Sequence, residues 1–203
     1  MDGQEFTDTL RDAHETPLSR LGSSKWVYAL TGGEMDGDRV AAAWATESGA
    51  AHETFTAWAD SEDESEAAAV FADAAETAAS HGDSDEDAGA DLPPTYEALA
   101  DLDTTAERAG GFLAWTLVAE KTLAQMVGFF VGDADPSTAN TFREYRRDLQ
   151  DQQAAAADLL DAVCEDDPDW TVARDAADRV VEAAYGDYVE TLESMGIKPK
   201  NVC

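Results

Sequence analysis

Between Phe142 and Val163 the inward residues recur at steps of three and four: Phe142, Tyr145, Leu149, Gln152, Ala156, Leu159 and Val163. An α-helix turns once in about 3.6 residues, so this spacing gathers them on one face. A half-buried strand would need alternation, and no segment of the chain sustains it. The same device returns elsewhere. One stripe runs Val40, Trp44, Glu47, Ala51, Phe55 and Trp58; another runs Val70, Ala74, Thr77 and His81. A third is Leu113, Leu117, Glu120, Ala124, Val127 and Val131, and the last is Ala177, Val181, Ala184, Tyr188, Leu192 and Met195. The chain therefore reads as all-α, with five or six helices and four long ones forming the core.

Punctuation between the stripes sets the organisation. A short first helix is expected over 4–15. A second follows the Thr16-Pro17 cap through Leu18, Leu21, Trp26, Tyr28 and Leu30, and stops at Gly32-Gly33. Asp36 or Asp38 caps a first core hairpin over 37–82. Residues 83–103 form an acidic linker or crossover, with one turn of helix around Tyr96–Ala100. Thr104 and Glu107 form a capping box that opens a second core hairpin over 104–164. Asp135-Pro136 and Asp167-Pro168 repeat the cap-and-proline device, and Gly196 closes the C-terminal helix over 168–195. The whole reads as a single helical domain, 1–203. Gly110-Gly111 marks a close helix approach.

Charge bounds the setting more than the task. Forty-four acidic residues stand against thirteen basic ones, for a net charge of −31. The acids interleave with the apolar stripes instead of forming a disordered block. At 1 M salt the Debye length is about 3 Å, which screens this self-repulsion. A folded, acidic chain of this kind fits the cytoplasm of a halophilic archaeon. The N-terminus is acidic and carries no secretory apolar run. Ala109–Gly132 is apolar, but Glu120 and Lys121 sit at its centre. A central charge costs about 2.5–3.5 kcal/mol on insertion, so the segment reads as a buried bundle helix and not a membrane span. Nucleic acid is an unfavourable partner at this charge, since molar salt removes the counterion-release drive. A homodimer or a protein partner stays open. Cys164 and Cys203 read as free thiols.

Three ionisable residues stand on stripes where apolar side chains belong: Glu47, His81 and Glu120, with Gln152 as a polar fourth. A buried carboxylate needs a partner, a proton or a metal. Carboxylates and histidines from facing helices are how a bundle holds a cation. One set of expectations is a metal site of Glu47, His81 and Glu120, holding one iron or other divalent metal. The other is structural. Glu47 accepts an indole N–H from Trp26, Trp44 or Trp58, Glu120 pairs with an arginine of a facing helix, and His81 caps a helix C-terminus as a cation. If none of these residues holds a metal, the chain needs no cofactor. A pocket between Glu47, Glu120 and the tryptophans is a further place for a small molecule.

Thr46-Glu47-Ser48-Gly49-Ala50, followed by Phe55, Trp58, Phe71 and His81, resembles the first half of a rubrerythrin-type ferritin-like domain. Phe71 and His81 stand ten residues apart, as do Phe142 and Gln152. The resemblance spans roughly 37–160. It implies a ferritin-like four-helix bundle with one or two additional helices. It also implies metal binding through Glu47, His81 and Glu120, in oxidative-stress or metal handling. Ala78, Leu149 and Gln152 stand where the family carries two carboxylates and a histidine. The resemblance thus implies the scaffold more than the two-iron chemistry, with a single bound metal at most. A helical interaction or regulatory protein that lost the metal site is the alternative.

Other chemistries lack their residues. There is no phosphate-binding glycine loop, no nucleophile elbow, no Cys-x-x-Cys and no His-Glu-x-x-His. Arg143, Arg146 and Arg147 share one helix side and could hold an anion. Glu144, Asp148 and Asp151 stand ready to pair with them along the helix. The tail Lys198–Cys203 holds half of the four lysines and no acid, and docking on the acidic body or on a partner is expected.

Overall fold

The computed structural model describes residues 1–82 and 92–199. Among them are nine helices: α1 Gly3–Ala13, α2 Glu15–Leu21, α3 Ser24–Leu30, α4 Gly37–Ser61, α5 Ser65–His81, α6 Pro94–Ala100, α7 Thr105–Gly132, α8 Pro136–Val163 and α9 Asp167–Ser194. The described residues contain no strand, so the fold is all-α. None of these helices is long and apolar enough to cross a membrane.

The acidic bias serves the helix starts. Asp2, Asp36, Asp135 and Asp166 each accept a backbone N–H of the first turn of α1, α4, α8 and α9. Each satisfies a donor that the helix cannot, and places negative charge at its positive end. Thr104 and Glu107 close a capping box on α7, as expected, and Asp166 with Asp169 closes another on α9. The α9 cap thus stands one residue before the expected Asp167. The segment expected as one helix over 16–30 is two, because the chain breaks at Gly22 and Ser23. Gly32 and Gly33 then adopt φ of +60° and +89°, and Gly196 φ of +73°, a region where a side chain is strained.

α7 is the hub. Its most extensive neighbours are α8 and α9, while α4 pairs with α5. α9 is therefore as much a core helix as the four in the two hairpins. Gly110 permits this approach, since a Cβ there would lie 2.1 Å from the Ala173 carbonyl oxygen of α9. From Ala109 to Ala119 every residue of α7 is buried. Beyond it the buried face is Thr122, Leu123, Met126 and Phe130, while Val131 is 54% exposed. The expected stripe through Glu120, Ala124, Val127 and Val131 is thus rotated by one residue. A helix apolar all round gives the periodicity little to choose between faces. The stripe on α8 is in place, with Phe142, Leu149, Gln152, Ala156 and Leu159 buried.

An aromatic cluster joins α4, α5 and α7. Phe55 meets Phe112 at 5.2 Å and Trp115 at 4.8 Å, both edge-on, and Trp58 meets Phe71 at 5.0 Å. Such pairs contribute about 0.5–1.5 kcal/mol each beyond area burial. At the edge of the cluster Arg108 bonds Glu62 at 3.2 Å, with side chains only 12% and 5% exposed. That pair ties the end of α4 to the start of α7.

The turn of helix expected around Tyr96–Ala100 within the linker or crossover is α6. α6 packs on α9, α4 and α7, and Tyr96, Leu99 and Leu102 are fully buried. The first half of the linker, 83–91, lies outside the described residues. At the other end Ile197 packs on the core, and the Lys198 carbonyl accepts from Lys25 Nζ at 2.9 Å. The start of the tail therefore docks on the body, and 200–203, with Cys203, lie outside the described residues. Cys164 is a free, buried thiol, and burial pushes its pKa up to about 11.

Candidate functional site

Glu47 sits midway along α4, partly buried and facing α6. The phenol of Tyr96 has two acceptors within reach on Glu47, its main-chain carbonyl oxygen at 2.8 Å and its Oε2 at 3.1 Å. Trp115 Nε1 of α7 donates in turn to the Tyr96 oxygen at 3.1 Å. The result is a chain from indole to phenol to carboxyl across three helices. Burial pushes the Glu47 carboxyl up to about 7, against the lowering effect of the Tyr96 bond, and Asp187 of α9 adds to the rise. No cation bonds this carboxyl among the described residues. The indoles expected as its partners are engaged otherwise or not at all. Trp26 Nε1 donates to Thr122 Oγ1 at 2.9 Å, and Trp44 Nε1 bonds no described residue.

His81 is the last residue of α5, and its side chain is buried. Its Nε2 lies 2.8 Å from Asp148 Oδ2 of α8. The ring stacks on Tyr145 at 4.0 Å and lies 6.4 Å from the Trp44 ring. Burial lowers its pKa, and Asp148 works against that. A neutral ring bonded this way carries its proton on Nε2 and donates it to the carboxylate. The expectation of a cationic imidazole capping its own helix is therefore corrected. Burial disfavours the charge, and the ring bonds across to α8.

Glu120 stands at the rim of the α7–α8 contact. Arg146 grips its Oε1 through Nε at 2.8 Å and Nη2 at 2.6 Å, and Lys121 Nζ lies 3.6 Å from Oε2. Arg146 thus reaches across to α7 instead of pairing along its own helix, while Arg143 bonds Asn140 within α8. Two of the expected trio of basic residues, Arg143 and Arg146, are thus divided between these roles.

Glu47, His81 and Glu120 therefore occupy three separate places, each with its own protein partner. Among the described residues no three His, Cys, Asp or Glu side chains converge in a way that would hold a metal ion. Gln152 is buried on α8, and neither of its amide atoms bonds a described residue; the same is true of Ser48 Oγ. Sequence reasoning missed Tyr96, Asp148 and Arg146 as the partners. Tyr96, Leu99 and Leu102 at spacing three, after Pro93-Pro94, were the available signal of a buried turn. Nothing local marks which inward carboxylate Arg146 will face. Comparison of the chain with protein-family models, with curated proteins and with solved structures returned no significant match.

Proposed function

We propose that this chain is a salt-adapted helical scaffold of ferritin-like descent that acts through protein contacts in the cytoplasm of a halophilic archaeon. In this reading the inward polar residues lock helices together and hold no metal. One observation carries it: each of the three candidate ligands is engaged across helices, Glu47 with Tyr96, His81 with Asp148 and Glu120 with Arg146. A cation bound through Glu47 Oε2, His81 Nε2 or Glu120 Oε1 must displace a bond that ties two helices. The donor set does not fit the rubrerythrin pattern, because Ala78 and Leu149 stand at two carboxylate positions and Gln152 at a histidine position. The four aspartate caps and the net charge of −31 support the salt-adapted part. Screening lets such a surface stay folded.

The test is elemental analysis of the untagged protein purified in concentrated KCl, paired with light scattering. The expected result is far less than one metal per chain, unchanged after incubation with Fe(II), with self-association or co-purification of a protein partner. About one iron, manganese or zinc per chain, lost in His81→Ala or Glu47→Ala, overturns the reading in favour of a degenerate metal centre.

A further inference from the structure

A cleft of about 260 Å³ opens where α1, α2, α7 and α8 meet. Its apolar wall is Leu18 and Leu117, each under 5% exposed. Its polar wall is Arg11, Glu120, Lys121, Gln150 and Gln153. In a chain with 44 acids and 13 bases, this lining carries two cations and one carboxylate. The contrast is a cleft of about 490 Å³ between the start of α4 and the α7–α8 turn. Asp36, Asp38, Asp133 and Asp135 line it, with no basic residue.

Arg11 is held in place, and both cations are incompletely neutralised. Arg11 Nη2 donates to Gln153 Oε1 at 2.7 Å, which leaves the amide nitrogen of Gln153 as a donor. Arg11 also stands 3.4 Å from Asp8. Glu120 spends Oε1 on Arg146 and lies 3.6 Å from Lys121 Nζ, longer than a hydrogen bond. Within the lining Arg11 and Lys121 stand against the single carboxylate of Glu120, whose Oε1 is already taken by Arg146, leaving one positive charge in surplus. The Gln150 amide makes no hydrogen bond to a described residue.

We propose that this cleft binds a small organic monoanion, a carboxylate on a short aliphatic chain. The carboxylate sits between Lys121 and Arg11 with the glutamine amides as further donors, and the chain lies on Leu18 and Leu117. The single surplus charge selects a monoanion, and the apolar wall selects a carbon chain over an inorganic ion. At the ~30 Å³ that a water occupies in the liquid, the volume has room for up to about eight or nine non-hydrogen atoms. In molar salt only charges in contact are effective, so recognition rests on direct bonds to these side chains. The site does not depend on whether Glu47 or His81 holds a metal.

Butyrate is the probe, titrated into the full chain in concentrated KCl and followed by ligand-observed NMR. Saturable binding is expected, weakened about tenfold in Lys121→Met by loss of a charge-assisted hydrogen bond, weakened several-fold in Arg11→Met and unchanged in Lys25→Met. Butylamine, of similar size and opposite charge, is expected not to bind. Arg11 lies on an exposed face of α1 and keeps the test valid should the Lys121 variant fail to fold. Absence of saturable butyrate binding overturns the proposal. So does equal affinity in folded Lys121→Met and Arg11→Met, or butylamine binding as well as butyrate. Displacement of butyrate by inorganic phosphate at equal concentration would also overturn it, as the mark of a non-selective ion site.

Discussion

Glu47 and Glu120 occupy equivalent positions in the sequence pattern, each an acid inside a helical stripe, yet their surroundings are opposite. Glu47 meets a phenol, an indole behind it and the carboxyl of Asp187. Glu120 meets a guanidinium at two points and an ammonium beside it. Without a cation, burial dominates at Glu47 and the carboxyl resists ionisation. The difference lies in what the neighbouring helix brings. α6 presents Tyr96 to one carboxylate, and α8 presents Arg146 to the other. An inward acid on a stripe is therefore not by itself a ligand, a base or an ion-pair partner.

The largest expected effect tests the Glu47 side. Raised from 4.5 to about 7, Glu47 holds its proton more tightly in the folded chain than in the unfolded one. Its favourable contribution is complete below pH 4.5 and lost as pH rises through 7. At about 1.4 kcal/mol per pKa unit, the ceiling is about 3 kcal/mol, and partial exposure lowers it. Urea unfolding at a series of pH values should show Glu47→Gln gaining stability over wild type above pH 7 and losing that advantage toward pH 4.5. A gain independent of pH would show that charge at Glu47 is not the cause.

Arg146→Met tests the other side. Removing a charge-assisted, two-point grip on a mostly buried carboxylate should cost about 1.5–3 kcal/mol. Adding Glu120→Gln should recover part of it, since the double variant leaves no unpaired charge. A double-mutant cycle with no coupling would show that the pair is passive. Tyr96→Phe should cost about 1–2 kcal/mol, because the Trp115 N–H and the Glu47 carboxyl both lose a partner. It should also push the Glu47 pKa above 7, since the Tyr96 bond lowers it; carboxyl-resolved NMR reads that shift. The smallest effect is Gln152→Met, whose amide bonds no described residue. Exchange for an apolar side chain of similar shape should be neutral or stabilising by up to about 1 kcal/mol. A clear loss of stability would show that the amide has a partner.

The helical class and most helix ends were legible. Asp36, Thr104 and Asp135 cap as their chemistry requires, because a cap is decided within four residues. The stripe on α8 was legible because its outer face is strongly polar. The inward face of α7 beyond Ala119 was not, because apolar residues surround that helix. α6 was half-legible, since a seven-residue helix has too few turns to show a period.

The sequence by itself determined that this chain is helical, where the long helices begin, that acids serve as their caps, and that a few polar side chains point inward. These are local matters of period, propensity and capping. Only the tertiary structure decided what those side chains meet: a phenol for Glu47, an arginine for Glu120, an aspartate for His81. It also decided that α9 lies in the core and that Arg11 and Lys121 share a cleft. Each such meeting depends on the rotation and register of helices far apart in the chain. One residue of register turns a side chain by about 100°, enough to separate three expected ligands that share only a pattern.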